Sequence, residues 1–273
     1  MPIERIILVT GATDGIGRQT ALTLARRGAR VLVHGRTRAK AEAAAGAIRE
    51  LARSDRAEPV WGDLSSLAEV RALALDVGGR VPRLDVLLND AGVFLNERTV
   101  TRDGLEATFQ VNHLAPFLLT HLLLDKLHES DEPRVVNVSS IAHARGRIDF
   151  DDLQSERDYS PYGAYAASKL MNVLFSFALA RRLTAPLVAV NALHPGVVTT
   201  KLLREGFGTT GASLDTGAAT SLRVATDPDL ARVSGKYFAD SREATPAPIS
   251  RDRALQDRLY DVSAKLAGVV PLP

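Results

Sequence analysis

Short runs of aliphatic and β-branched residues recur along the chain, at residues 5–10, 30–34, 58–61, 84–88, 134–139 and 187–193. Each is apolar at successive positions rather than at every second one, which is the mark of a strand buried on both faces. Between them lie stretches long enough for helices, several with apolar positions at helical spacing. This alternation predicts an α/β chain in which a doubly wound parallel sheet carries helices on both faces. Past Pro195 the pattern loosens into a glycine-rich piece at 206–211, a helix near 215–225 and a last strand near 236–239. Leu255, Leu259, Val262 and Leu266 fall on one helix face, so the tail over 240–273 is expected to pack against the body. No proline- or serine-rich linker and no repeat divides the chain, so 1–273 reads as a single domain.

Composition narrows the chemistry. The 273 residues contain no cysteine, which removes disulfides and thiolate nucleophiles or ligands. The six histidines have no ligand-like spacing, and no metal site is expected. A formal charge of +2 with interspersed signs gives no basic patch for nucleic acid, in spite of a pI near 9.0. A strand pattern begins almost at the amino terminus and no apolar run reaches the length of a membrane span, which predicts a cytoplasmic protein with no membrane partner.

Directly after the first strand stands Thr10-Gly11-Ala12-Thr13-Asp14-Gly15-Ile16-Gly17, and a helix pattern begins at Ile16. Glycines there permit a tight turn and let backbone N–H groups at a helix start approach a pyrophosphate, as in Rossmann-type dinucleotide sites. Gly11, Thr13, Asp14, Gly15, Ile16 and Gly17 are therefore candidate cofactor contacts. Such sites place an acid on the adenosine ribose about twenty residues further on, or an arginine for a 2′-phosphate. Here the second strand ends His34-Gly35-Arg36, with Arg38 beyond, so the expected cofactor is NADP(H), with Arg36 on the phosphate. Asp14 would repel that phosphate unless Arg18 or Arg36 pairs with it, and NAD(H) stays open.

Tyr165 and Lys169 stand four apart in a helical run and share a face. A free phenol titrates near pH 10, and moving that midpoint by one pH unit takes about 1.4 kcal/mol. A cation about 4 Å away at an effective dielectric of about 20 supplies roughly 4 kcal/mol, enough to bring the phenol down by two to three pH units before desolvation is subtracted. The pair is thus a candidate proton donor with its activating cation.

Four separated motifs resemble the short-chain dehydrogenase/reductase family over nearly the whole chain: the glycine loop at 10–17, Asn89-Asp90-Ala91-Gly92, the serine pair Ser139-Ser140, and Tyr165 to Lys169 followed by His194-Pro195-Gly196. The stretches around Asp152-Leu153-Gln154 and 168–175 look most like the retinol-dehydrogenase-like branch. The resemblance implies that Tyr165 is the general acid in carbonyl reduction and the base in alcohol oxidation, and that Lys169 lowers its pKa and holds the nicotinamide ribose. It implies that Ser140 hydrogen-bonds the substrate oxygen, with Ser139 as the rival, and that Asn112 keeps a helix distorted and a relay water in place. Asp63 and Leu64 would contact adenine, although Asp63 could instead cap the following helix. Asn89, Ala91 and Gly92 would lie against the adenosine ribose and stabilise the sheet centre. Pro195, Gly196, Val198 and Thr200 would grip the nicotinamide carboxamide. The family usually has a second asparagine where this chain has Asp90.

Twenty-four residues separate Ser140 from Tyr165, and Phe150, Tyr159 and Tyr162 among them are expected to wall the substrate pocket. The segment about 199–215 is expected to be a lid. The helix 170–183 is apolar almost all round, and in this family the corresponding helix often pairs with its copy, which implies a homodimer or homotetramer; core packing explains the pattern equally well. His143 and His194 lie near strand ends that face the cofactor, with structural roles favoured. The function implied is an NADP(H)-dependent oxidoreductase acting on a small-molecule carbonyl or alcohol. A dinucleotide-sensing protein would need only the cradle, and the presence of Tyr165, Lys169, Ser140 and Asn112 together speaks against it.

Overall fold

The structure, a computed structural model, describes residues 5–183 and 188–273. Eight strands form one sheet: β1 (Ile6–Val9), β2 (Arg30–Gly35), β3 (Ala57–Trp61), β4 (Val86–Asn89), β5 (Arg134–Val138), β6 (Ala189–His194), β7 (Tyr237–Ala239) and β8 (Arg242–Ala244). The first residue of the sixth expected strand, Leu187, lies outside the described residues. The order across the sheet is β3-β2-β1-β4-β5-β6-β7-β8, and the first seven strands are parallel. The order reverses between β1 and β4, and the crevice at such a switch point is where α/β sheets bind ligands.

Strand β8 is the element the periodicity missed. It has three residues, Arg-Glu-Ala, too few and too polar to signal, and pairs antiparallel with β7. Asp240 and Ser241 between them both take positive φ, 49° and 57°, as a tight primed hairpin turn requires. Ser241 N–H is tied down by donating to Thr220 Oγ.

Among the described residues ten α-helical segments connect or cover the strands: α1 (Gly15–Arg26), α2 (Arg38–Ala52), α3 (Leu67–Arg80), α4 (Ala107–Phe109), α5 (Ala115–Leu122), α6 (Leu124–His128), α7 (Pro161–Arg182), α8 (Lys201–Phe207), α9 (Leu214–Thr226) and α10 (Arg253–Ala267). Their starts follow side-chain caps: Asp14, Thr37, Ser66, Ser160, Thr200, Ser213 and Asp252 each accept from an N–H of the first turn.

Strand residues alternate between two apolar cores. Ile6, Leu8, Leu32, Leu87, Val135 and Val190 join residues of α3, α5, α7 and α10, whereas Ile7, Val9, Val31, Val33, Val86 and Leu193 join residues of α1, α2 and α9. Each large aliphatic side chain so buried stabilises the fold by roughly 1.5–3 kcal/mol.

Helix α10 buries Gln256, Leu259, Tyr260, Ser263, Ala264 and Ala267, whereas the sequence pattern marks Leu255, Leu259, Val262 and Leu266. The Tyr260 ring lies 5.1 Å from Phe117 on α5, and the Tyr260 hydroxyl is 2.7 Å from His121 Nε2. Arg181 and Arg182 of α7 both reach Asp257, at 2.5 and 3.0 Å. Phe175 of α7 packs 4.9 Å from Phe117 of α5 and 6.3 Å from Tyr260 of α10. Among the described residues no helix is long and apolar enough to cross a membrane.

Candidate active site

The glycine loop runs from β1 to α1 with Gly11 and Gly15 at φ +67° and +59°. A Cβ on Gly11 would stand 2.7 Å from the Cα of Ala91, so only glycine lets the loop pass the end of β4. Gly11 N–H donates to His34 Nδ1 (3.2 Å) and His34 Nε2 lies 2.9 Å from the Gly62 carbonyl, which puts the ring proton on Nε2. Burial lowers the pKa of this imidazole and keeps it neutral. His34 thus pins the loop across β2 to the end of β3, a role not expected from the sequence; a polar residue closing an otherwise apolar strand was the available signal.

Asp14 caps α1, its carboxylate accepting from Gly15 N–H at 2.7 Å. Gly35 has a steric reason to be glycine: a Cβ there would lie 2.8 Å from both Ala41 N and Thr13 Cγ2. Arg36 is exposed beside this loop. Arg38 pairs with Glu42 at 2.8 Å and lies 5.3 Å from the Trp61 ring centre. Asp63 Oδ1 accepts from Ser65 N and Oγ at 2.9 and 2.7 Å, while Ser66 is the actual cap of α3; Leu64 beside it is buried.

At the end of β4 the Thr10 hydroxyl accepts from the N–H groups of Asp90 and Ala91 at 3.0 and 3.1 Å. Asn89 turns its side chain into the sheet, donating to Asn137 Oδ1 at 2.8 Å and Thr120 Oγ at 3.3 Å. Both partners lie within the fold, Asn137 on β5 and Thr120 on α5, so the side chain links the centre of the sheet to the helix over it. Gly92 keeps the crevice open: a Cβ would stand 3.3 Å from Lys169 Nζ and 3.4 Å from Asn112 Oδ1.

Asn112 lies in a π-helical turn, Gln110–Leu114, inserted between α4 and α5. It accepts from Val93 N–H at 2.7 Å and donates to the Val93 carbonyl and Ser168 Oγ at 2.9 and 3.0 Å. A helix widened at this point matches the expected distortion, and such bulges are frequent at functional sites.

Ser139 and Ser140 part company at the end of β5. Ser139 donates to the Lys169 carbonyl at 2.7 Å and is buried, whereas Ser140 accepts from Ala142 N–H at 3.2 Å and stands near enough to the Tyr165 phenol to act on its pKa. Lys169 Nζ lies 5.6 Å from the centre of the Tyr165 ring and donates to the Val138 carbonyl at 3.0 Å. Burial lowers Lys169 to about 8. Tyr165 is pushed up to about 12, chiefly by burial, with the Asp90 and Tyr162 charges adding and the Ser140 bond opposing. The rise runs opposite to the direction expected from Lys169, whose ammonium lies 5.6 Å from the ring centre; burial of the phenol is the largest cause.

Tyr165 is walled by aromatic rings: Phe94 at 5.6 Å and Phe207 of α8 at 5.8 Å, with Tyr162 6.1 Å from Phe207. Of the other expected wall residues, Tyr159 donates to the Leu95 carbonyl at 2.9 Å, and Phe150 lies under Arg258 of α10. Residues 201–207 of the expected lid are a helix, capped by Thr200 Oγ accepting from Leu203 N–H at 3.1 Å. Thr200 also faces the glycine loop, its Cγ2 3.5 Å from where a Gly15 Cβ would be. Val198 is buried, and Pro195 and Gly196 (φ +92°) turn the chain there from β6. His194 Nδ1 accepts from Ile141 N–H, and His143 accepts at Nε2 from Ala247 N–H with Nδ1 2.6 Å from the Ser140 carbonyl, so both are structural.

The segments that follow β1, β4, β5 and β6, with Gly11, Gly15, Gly92, Ser140 and Thr200, thus lie at the same edge of the sheet, and Tyr165 and Lys169 of α7 reach it through Ser140, Val138 and Gly92. Two positive-φ glycines, a helix start and the small residue beside Lys169 suit a dinucleotide, with its phosphates at α1 and its nicotinamide end near Tyr165.

A family model described as short chain dehydrogenase matches residues 5–209. The chain is 42% identical to mouse retinol dehydrogenase 14 over 97% of its own length and 86% of that protein's. Its structure superposes on that of a Mycobacterium paratuberculosis protein with a TM-score of 0.83, 33% identity and coverage of 98% and 95%. A short chain dehydrogenase of Escherichia coli complexed with NADPH aligns with a TM-score of 0.71, 30% identity and coverage of 87% and 97%. The architecture, the motif residues gathered on one crevice and these similarities agree: the chain is an oxidoreductase of the short-chain dehydrogenase/reductase family, acting on CH–OH or C=O groups and related to the retinol dehydrogenases.

Proposed function

We propose that the protein interconverts a small-molecule carbonyl compound and its alcohol, with NADP(H) as the preferred cofactor and Tyr165 as the group that gives or takes the proton. The observation that carries this reading is a buried phenol at the end of β5, beside Ser140, with the buried Lys169 ammonium 5.6 Å from its ring centre. A bound nicotinamide supplies or accepts the hydride. Everything else falls to side chains of this chain. Ser140 holds the substrate oxygen, Tyr165 delivers the proton to that oxygen, and Lys169 provides positive charge beside them. With its pKa pushed up to about 12, the phenol carries its proton at neutral pH, the form that reduction requires. Asn112 supports the site by bracing the loop at Val93.

The preference for NADP(H) rests on Arg36 beside the loop and on Gly35, where an acid would hold a ribose hydroxyl. The walls formed by Phe94, Leu202 and Phe207 favour an apolar substrate, in keeping with the names of the relatives. Consumption of NADPH and of NADH should be followed against benzaldehyde, retinaldehyde and a panel of ketones, with Tyr165→Phe as the control. Turnover that favours NADPH and is lost in Tyr165→Phe is expected. NADPH binding without turnover of any member of the panel would make the protein a cofactor-binding sensor instead, and a clear NADH preference would overturn the cofactor assignment.

A further inference from the structure

We propose that Tyr159 is a positioning residue for this reaction: its hydroxyl holds the loop after β4 so that the Phe94 ring borders the Tyr165 phenol and limits the width of the carbonyl compound that reaches it. The proposal rests on the oxidoreductase reading above and deepens it by naming what sets substrate size.

Residues 91–95 belong to no helix or strand, so no ladder of backbone bonds fixes Phe94. Its two neighbours are held by side chains from elsewhere in the chain. On one side Asn112 accepts from Val93 N–H at 2.7 Å and donates to the Val93 carbonyl at 2.9 Å. On the other, the Tyr159 hydroxyl donates to the Leu95 carbonyl at 2.9 Å. Phe94 is thus bracketed by two clamps. The second comes from the element that carries the phenol: Tyr159 stands directly before Ser160, whose side chain caps α7, and Tyr165 projects from that helix. The Tyr159 bond therefore registers the loop against the helix on which Tyr165 is mounted. Further along, Arg98 Nε donates to the Gln154 carbonyl at 2.9 Å and Glu106 N–H donates to Gln154 Oε1 at 2.7 Å, so the two segments are laced together.

The ring held in this way lies 5.6 Å from the Tyr165 ring and 4.7 Å from that of Phe207. It packs, as Leu202 does, against the cluster of Ala142, Tyr165 and Ala166. An apolar ring fixed beside the proton donor admits only what fits the gap it leaves. Tyr159→Phe keeps the aromatic ring at 159 and removes the donor alone. The Leu95 carbonyl is then released, Phe94 swings more freely from the phenol, and broader aldehydes gain access.

Initial rates of NADPH oxidation with benzaldehyde and with naphthaldehyde, which carries one more fused ring, read this change. In Tyr159→Phe the ratio of kcat/KM for benzaldehyde to that for naphthaldehyde is expected to fall by about tenfold, the scale on which an apolar pocket feels a small change in size. Phe94→Ala should move the ratio at least as far. The double variant should go no further than Phe94→Ala alone, because a clamp has nothing to position once the ring is gone. A role in stability alone would weaken turnover of both aldehydes alike and leave their ratio in place. An unchanged ratio in a folded Tyr159→Phe, or effects that add in the double variant, overturns the proposal. The two readings fail separately: a wild type that binds NADPH and turns over no aldehyde or ketone sinks the oxidoreductase reading, while 19F NMR of protein labelled with fluorophenylalanine still decides the clamp. There the Phe94 signal, assigned through Phe94→Ala, is expected to shift in Tyr159→Phe, and a signal that stays in place overturns the role of Tyr159.

Discussion

The Ser139 hydroxyl donates to the Lys169 carbonyl at 2.7 Å, tying the end of β5 to the turn of α7 from which Lys169 projects. Ser140, one position on, accepts from Ala142 N–H and stands beside Tyr165 instead. The two serines thus serve different partners, and the proposed roles separate them. Ser139→Ala is expected to cost about 0.5–1.5 kcal/mol of stability through the lost buried bond, with a modest effect on turnover. Ser140→Ala is expected to lower kcat by roughly 10²–10³ with little change in melting temperature. Urea denaturation and steady-state kinetics on both variants check this. Equal effects on the rate would abolish the distinction.

Helix α8 touches Phe94 through Phe207, whose ring centre lies 4.7 Å away, and Phe94 borders Tyr165; a lid at 199–215 would act through this contact. A Cβ on Gly206 would stand 2.7 Å from Phe94 Cδ1 and 3.3 Å from Phe94 Cβ, and Phe94 in turn packs 5.6 Å from Tyr165. Gly206→Ala is expected to change KM and kcat together, because α8 must shift off the ring that borders the phenol. Gly208 ends α8 at φ +62° with nothing within 4 Å of an added Cβ. Gly208→Ala should thus cost about 1–2 kcal/mol locally without pushing on Phe94. Kinetics on a single aldehyde would show it, and unaltered constants in Gly206→Ala would remove the lid.

His113, fully buried in the π-helical turn beside Ser263, has its pKa pushed down to about 4 by desolvation. In the unfolded chain it titrates near 6.5. Below about pH 6.5 the unfolded chain therefore binds a proton that the folded chain refuses. Stability associated with the neutral ring is complete above that pH and is lost as the pH falls toward 4, a total of about 3 kcal/mol. Urea midpoints at pH 7, 6 and 5 should decline more steeply for the wild type than for His113→Gln. Parallel slopes would refute the assignment.

Much of the sheet was legible because its strands are apolar on both faces, a pattern that few other structures produce. The glycine loop was legible for a different reason, since Gly11 and Gly15 adopt φ values that side chains penalise. Strand β8 left no signal, because three residues paired at an edge need neither alternation nor burial. Asn89 was half legible: its position at the strand end marks the crevice, but which way an amide turns depends on Asn137 and Thr120, which are remote in sequence. The apolar face of α7 was ambiguous for the same kind of reason. Nothing local says whether α10 or a second copy covers it.

The order of strands and helices, the place of the glycine loop and the i, i+4 pairing of Tyr165 with Lys169 follow from the amino-acid sequence alone, because each depends on backbone geometry or on spacing within one element. The protonation balance at the site was decided only by the tertiary structure. Burial, Ser140 and the Asp90 charge act on Tyr165 from separate elements, and desolvation, which no local pattern encodes, is the largest of them.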